Sequence, residues 1–486
     1  MSISPARAAA FDILLRIAQQ GSYASELLHS SQYAKLSPAD HGLATELVMG
    51  VLRWQSHLDQ EISRFSAKGV AKLDIEVLTA LRLGAYQLMF LDRVPGRAAV
   101  HESVEMVKRG RKGSAVPFAN AVLRKLAGIT SAAKAAEENG SSNAALTRCS
   151  TQNLESAGRN LASAGENPDS TGRSPDSSAT SITQCAAELA QKLAHPLWLV
   201  DRWVREFGID VARQISSYDQ LAPQAAVRLS DPAAEAGLRR NGIDLAPGQL
   251  LTSARRVLAG NISGTLAFKE GRVTIQDEAS QLVALLVGKG SRILDCCAAP
   301  GGKTRVLAER NPEASIVALE LHPHRARLLR KLVPAKNVEV ITSDVGEFAS
   351  PAPFDRVLVD VPCSGTGTLA HNPEIKWRLK LEDIAELQAR QLAILHAATQ
   401  LAAPGGRLLY STCSLEREEN EEVVEMTLAT TPSFRAVDCR TELERLRAEG
   451  ELAWDDIDSL LSGRFVRTIP GVHPCDGFFV AILQKS

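Results

Sequence analysis

Apolar residues recur at helical spacing from Ala6 to about Leu126, as at Ala10, Ile13, Leu14 and Ile17 and again at Leu78, Leu81, Leu83 and Leu88. One apolar face repeated every three to four residues predicts helices around a shared core, so residues 1–128 are expected to be all-α. The pattern breaks over 129–184, which is dominated by Ala, Ser, Asn, Gly and Thr and contains Asn167-Pro168-Asp169-Ser170-Thr171-Gly172. Too few large apolar side chains are present to offset ordering entropy, and a flexible linker is expected. Helical spacing resumes from Ala186 to Phe207, with Pro196 placed to open a helix at Leu197, and Ala225–Leu229 and Arg272–Ile275 read as short strands. A small α+β subdomain is therefore expected over 185–284.

After Gln281 strand and helix alternate. The pattern predicts strands at Arg292–Cys296, Ser315–Glu320, Val338–Ser343, Arg356–Asp360, Arg407–Ser411 and Phe478–Leu483, with helices near Lys303–Glu309, Pro323–Leu332 and Leu381–Leu401. Continuously apolar strands separated by helices imply an α/β domain over 285–486, with a doubly wound, mostly parallel sheet covered on both faces. Ligands of such sheets bind beyond the carboxyl ends of the strands, where strand order reverses.

Bulk composition changes this picture little. The 486 residues carry 55 Lys and Arg against 56 Asp and Glu, a formal charge of -1, so any polyanionic partner is met locally. Residues 1–128 hold sixteen basic and eleven acidic side chains, part of the excess lying in Lys108-Arg109-Gly110-Arg111-Lys112. That cluster reads either as a solvated helix end or as a phosphate contact. Eight scattered cysteines do not form a disulfide framework and fit a reducing cytoplasm. No stretch approaches the ~20 apolar residues of a membrane span, and without Cys-x-x-Cys or His-rich spacing no metal is expected.

The chemistry concentrates at the predicted strand ends. Leu294-Asp295-Cys296-Cys297-Ala298-Ala299-Pro300-Gly301-Gly302-Lys303-Thr304 runs from a strand through a glycine turn into a helix. Such a turn admits a ligand to the backbone, although glycine turns also serve as plain connectors. Glu320 ends the second strand, where an acid accepts hydrogen bonds from ribose hydroxyls, and Asp344 follows the third, where it can receive an adenine amine. Each acid alone reads more readily as a surface or capping residue; together with Asp295 they point to an adenosyl ligand. Cys296 and Cys297 read as packing, with backbone contact to the cofactor. Cys363, in Asp360-Val361-Pro362-Cys363-Ser364-Gly365-Thr366-Gly367, and Cys413, in Ser411-Thr412-Cys413-Ser414, leave strand ends toward the expected cleft. A strand-end loop is a poor place to keep a thiol for packing alone.

These segments, with Gln276-Asp277-Glu278-Ala279-Ser280 and Pro474-Cys475-Asp476-Gly477-Phe478-Phe479, resemble the Nol1/Nop2/Sun family of S-adenosylmethionine-dependent RNA cytosine-5 methyltransferases over about residues 186–486. The helical start, with Glu46-Leu47-Val48-Met49-Gly50-Val51-Leu52-Arg53-Trp54 and Phe118-Ala119-Asn120-Ala121-Val122-Leu123-Arg124, is similar to the antitermination factor NusB. The pairing resembles the bacterial Sun/Fmu branch, which acts on a cytosine of small-subunit ribosomal RNA, and implies a NusB-like domain before a Rossmann-like methyltransferase domain. The resemblance implies cofactor contacts from Cys297, Ala298, Ala299, Pro300, Gly301, Gly302 and Lys303 and from Glu320, Asp344 and Asp360. It assigns Cys413 as nucleophile and Cys363 to resolution of the covalent intermediate. Asp360, beside the base, stabilises charge during attack. The partner it implies is small-subunit ribosomal RNA; the chain itself is expected to be a cytoplasmic monomer with no membrane contact.

Three other readings are weaker. An amine or protein methyltransferase favours an Asp/Asn-Pro-Pro-Tyr/Phe loop and needs no thiol. A non-catalytic RNA-binding factor leaves both cysteines unexplained, and a nicotinamide dehydrogenase lacks its glycine fingerprint.

Overall fold

The computed structural model describes residues 3–33, 35–66, 69–138 and 175–486. Most of the expected linker 129–184 lies outside them; its two ends are helical, within Val116–Glu138 and Pro175–Lys192. The chain divides into two compact units. One comprises Met1–Leu221 with Leu369–Arg378, the other Ala222–Thr368 with Leu379–Ser486.

Among the described residues the regular structure of the first unit is all helical. Ala10, Ile13, Leu14 and Ile17, the periodic residues of the helix Pro5–Gln20, are all buried, and that helix stops at Gly21 in the left-handed conformation. The helix Ile75–Phe90 is buried almost all round, from Val77 to Leu88, which marks it as the central element of this core. The helices Pro175–Lys192, Leu197–Phe207 and Ile209–Tyr218 belong to this unit, not to the α+β subdomain expected from 185 onward. Ala194, in the turn between the first two of them, packs into the core cluster of the preceding helices. The segment Leu369–Arg378 is also embedded here. Trp377 Nε1 donates to Leu52 O at 2.6 Å, Lys376 Nζ donates to Arg53 O at 3.1 Å and Ala194 O at 3.2 Å, and the Ala24 amide donates to Glu374 at 2.8 Å. Burial pushes the Lys376 ammonium down to about 7.

The second unit opens with a four-stranded antiparallel sheet, β1 (Ala226–Leu229), β2 (Asp244–Pro247), β3 (Ala254–Ala259) and β4 (Val273–Ile275), in the order β2-β3-β1-β4. The main sheet has nine strands: β5 (Arg292–Asp295), β6 (Ser315–Glu320), β7 (Val338–Thr342), β8 (Phe354–Asp360), β9 (Ala402–Thr412), β10 (Phe434–Val437), β11 (Leu461–Ser462), β12 (Phe465–Thr468) and β13 (Phe478–Lys485). Its order is β11-β12-β13-β9-β8-β5-β6-β7, with β10 on β13. The five strands β9, β8, β5, β6 and β7 are parallel, and β10 to β13 add an antiparallel edge. The chain proceeds outward through β5, β6 and β7 and returns to β8 on the other side of β5, so the switch point lies between β5 and β8. Crossovers that leave in opposite directions open a crevice there.

Candidate active site

Parallel pairing decides which residues meet. β8 and β9 run in register with Asp360 beside Ser411. The chains leaving these neighbours therefore carry Cys363 and Cys413 to the same place, with their sulfurs 3.2 Å apart. The Cys413 amide also points at the Cys363 sulfur, at 3.3 Å. The Gly365-Thr366-Gly367 turn holds this approach. Gly367 N donates to Cys413 O at 2.9 Å and Gly477 N donates to Gly367 O at 2.8 Å, while a Cβ on Gly367 would collide with the Gly477 carbonyl oxygen. Only glycine allows the two backbones this close. The Cys363 thiol is held well above its ordinary value by its hydrogen bond to Cys413, by burial, and by the nearby Cys413 and Glu419 side chains.

At the end of β5, Asp295 is buried and accepts a hydrogen bond from Thr304 Oγ1 at 2.7 Å. Burial raises its carboxyl to about 7 against the opposing Thr304 bond, with Asp360 adding to the rise and Lys303 countering it. The glycine turn follows. Gly301 has φ +116 and caps the helix Gly302–Arg310, and a Cβ there would press on Val333 and Leu329 at 2.6 and 2.7 Å. Lys303, the second residue of that helix, reaches back to Asp360, Nζ to Oδ2 2.7 Å, and lies over the Phe478 ring. Burial works against the Lys303 charge, but Asp360 outweighs it and the ammonium is held above its usual value. Asp360 accepts a second hydrogen bond from Ser411 Oγ at 2.8 Å. Glu320 ends β6 nearly buried and accepts from its own His322 amide at 2.9 Å; Asp344, beyond β7, is exposed and accepts from the Gly346 amide at 2.7 Å.

The four acids expected to frame a cofactor act on one point. The Cys297 thiol is pushed far up by burial first and then by Asp295, Asp360, Glu320 and Asp344. Along the run from Cys297 to Lys303 only Pro300 is exposed; Ala298 and Gly301 are buried and the others half-buried. Cys296 is buried packing, as its sequence position implied. Asp295 Oδ1 is buried without a hydrogen bond among the described residues. An acid-lined crevice with an orphaned carboxylate oxygen fits a ligand bearing positive charge and polar hydrogens.

Glu419 escaped sequence reasoning. It sits seven residues after Thr412 in Arg417-Glu418-Glu419-Asn420, where a run of acids reads as a solvated helix start. The structure buries it fully between the two cysteine loops. Asn420 supports the same loops, accepting from Thr412 Oγ1 at 2.5 Å and donating to Ser414 O at 2.9 Å. Among the described residues no group of His, Cys, Asp or Glu is arranged to hold a metal, and no helix is long and apolar enough to cross a membrane.

A switch-point crevice beside several acids, with a glycine turn and two paired thiols, belongs to a doubly wound α/β domain whose matches are methyltransferases. A family model described as 16S rRNA methyltransferase RsmB/F matches residues 282–484, and the NusB family model matches residues 4–128. A probable ribosomal RNA small subunit methyltransferase B of Bacillus subtilis is 31% identical over 502 residues, covering 100% of both chains. The chain belongs to this family of small-subunit ribosomal RNA methyltransferases, with a NusB domain ahead of the methyltransferase domain. Among solved structures, PH0851 shares the fold over 100% of both chains, with a TM-score of 0.73 at 23% identity. NSun6 from Pyrococcus horikoshii, solved with SFG, has a TM-score of 0.50 at 20% identity and covers 60% of this chain and 98% of its own.

Proposed function

We propose that this protein transfers a methyl group to carbon 5 of a cytosine in small-subunit ribosomal RNA through a covalent cysteine–cytosine intermediate. The observation that carries this reading is the meeting of two thiols, 3.2 Å apart, at the ends of the switch-point strands. A methyltransferase acting on an amine or a hydroxyl has no use for them. Carbon 5 of cytosine is too poor a nucleophile to take a methyl group unaided, and a sulfur bonded to carbon 6 makes it enamine-like.

S-adenosylmethionine, when bound, supplies an electrophilic methyl group on a sulfonium. The residues suited to hold it are Cys297 to Lys303, Glu320, Asp344 and Asp360, with Asp295 beneath. Cys413 attacks carbon 6, forming the S–C6 bond. Cys363, whose thiol is held above its ordinary value, keeps its proton beside the Cys413 sulfur. Asp360, fixed by Lys303 and Ser411, retains lone pairs to accept from the exocyclic amine and so orients the ring. Once carbon 5 carries its methyl group its proton leaves to a base, the electron pair re-forms the ring double bond, the S–C6 bond breaks, and Cys363 assists that release. The base must stand clear of its neighbours for this geometry, so the target is single-stranded or flipped out.

Backbone contacts come from the helical unit, but not chiefly from the 108–112 cluster. Lys108 pairs with Glu105 at 2.6 Å, Arg109 with Asp12 at 2.7 Å and Lys112 with Asp74 at 3.2 Å. A groove of about 540 Å³ between the helices Gly96–Arg109 and Val116–Glu138 is lined by Arg97, His101 and Arg124 and by Asn120. Arg97 and Arg124 make no ion pair among the described residues, which leaves their charge for phosphate.

The test separates the thiols. Cys413→Ala should methylate nothing and form no adduct, whereas Cys363→Ala should attack and transfer but stall before elimination, giving a denaturation-resistant RNA complex seen as a slow band on a denaturing gel. Bisulfite sequencing of the ribosomal RNA locates the product. Full activity after loss of both thiols would refute the covalent route.

A further inference from the structure

Glu419 is buried with no exposed surface, and its carboxylate gathers donors from both cysteine loops. Oε1 accepts the Ser364 amide and Gln391 Nε2, each at 2.8 Å. Oε2 accepts the Ser414 hydroxyl at 2.5 Å and the Ser364 hydroxyl. Ser364 follows Cys363 and Ser414 follows Cys413, and their hydroxyl oxygens lie 3.0 Å apart. Gln391 also donates to Pro362 O at 3.0 Å, and Tyr410, on β9, donates to the Glu419 carbonyl at 2.6 Å. The Glu419 carboxylate thus binds the residue after each thiol directly; through Gln391 it is tied to the residue before Cys363, and its backbone carbonyl is tied to the strand that delivers Cys413. Four donors converging on two oxygens require a group that only accepts, which among side chains means a carboxylate. A buried carboxylate is costly, and a stabilising role alone is served as well by apolar packing. Its place between the two thiol loops supplies the other reason.

We propose that Glu419 is a positioning residue for the methyl-transfer cycle: its carboxylate fixes the cysteine loops relative to each other, so that Cys363 reaches the adduct made by Cys413. The inference rests on the covalent reading given above. Cys413 attack needs one loop placed against the base, whereas release needs both loops in register. Loosening the tie therefore slows release more than attack or binding. Its hydrogen bond to Cys413 and its burial hold the Cys363 proton in place, and the nearby Glu419 adds to them, in keeping with a thiol that waits while its neighbour reacts.

Glu419→Gln keeps the shape but turns one acceptor into a donor, so part of the tie must invert while the loops stay packed. The full-length variant should fold, keep the KM for a ribosomal RNA fragment, and lose between roughly tenfold and a hundredfold in kcat. It should also accumulate the denaturation-resistant RNA adduct that wild type clears. Adduct build-up at unchanged KM is not what a general loss of stability produces. Glu419→Ala, where it folds, should go further in the same direction. Wild-type kcat without adduct in Glu419→Gln overturns the inference, as does a loss confined to KM. Cys413→Ala and Cys363→Ala run alongside distinguish the two levels. If Cys363→Ala traps RNA and Glu419→Gln does not, the positioning role alone is wrong; if no variant traps RNA, the covalent reading falls and takes this inference with it.

Discussion

Asp295 joins a sequence position to a measurable pH dependence. It ends β5 with Thr304 on one carboxylate oxygen and no hydrogen bond on the other among the described residues, and burial lifts its carboxyl to about 7. Because the folded value is raised, its contribution to stability is fully present near the ordinary carboxylate value of ~3.9 and is lost as pH rises through about 7. A cation in the crevice reverses the preference, since it favours the charged carboxylate. Binding of S-adenosylmethionine is then coupled to proton release, and affinity should climb as pH rises toward about 7 and level off above it. Calorimetric titration across that range should show the climb in wild type and a flat profile in Asp295→Asn. Equal slopes in the two proteins would mean that another group carries the linkage. The aspartate was visible at a predicted strand end, but its burial was not: strand periodicity says which residues face the core, not whether a carboxylate at the tip meets solvent.

At the scale of elements, strands and helices with unbroken apolar runs were legible nearly to the residue. Ser315–Glu320, Pro323–Leu332 and Leu381–Leu401 stand as the pattern predicts. The antiparallel edge formed by β10, β11 and β12 was not: strands of two to four residues show little or no period, and although β1, β4 and β5 are as short and were expected, these three were not. Cys363 and Cys413 stood out because both leave predicted strand ends, and the structure brings their sulfurs together, while the burial of Glu419 went unread because an acid among acids looks solvated. The excursion Leu369–Arg378 was hidden for a related reason. Its helix, Ile375–Arg378, spans barely one turn, and its anchors are hydrogen bonds to backbone carbonyls, which no side-chain pattern announces. Trp377→Ala removes the bond to Leu52 O and half-buried aromatic surface, and should cost the helical unit about 2–3 kcal/mol. Denaturant unfolding of the full chain checks this. An unchanged midpoint would show that Trp377 does not hold the segment in place.

For the whole molecule the question is how a chain of net charge -1 holds a polyanion. Counting charges along the sequence pointed to Lys108, Arg109, Arg111 and Lys112, since adjacent cations stand out there and their partners do not. Folding brings Asp12, Asp74 and Glu105 to three of them, while Arg97 and Arg124, 27 positions apart, come to line one groove. Exposed pairs are weak, so the cluster keeps some affinity for phosphate, but at Lys108, Arg109 and Lys112 a phosphate must first displace a carboxylate. Arg97→Ala with Arg124→Ala should therefore weaken RNA binding more than Ala at all four cluster positions. It should also flatten the salt dependence by roughly 0.7 in log–log slope for each phosphate of single-stranded RNA that the variant no longer neutralises. Neither set should move the methylated position, because interactions with the RNA backbone carry little sequence information. Affinity measured over a series of salt concentrations decides between them: if the four-residue cluster variant showed the larger fall in slope, the groove would not be the phosphate site and the ion pairs of the cluster would open on RNA.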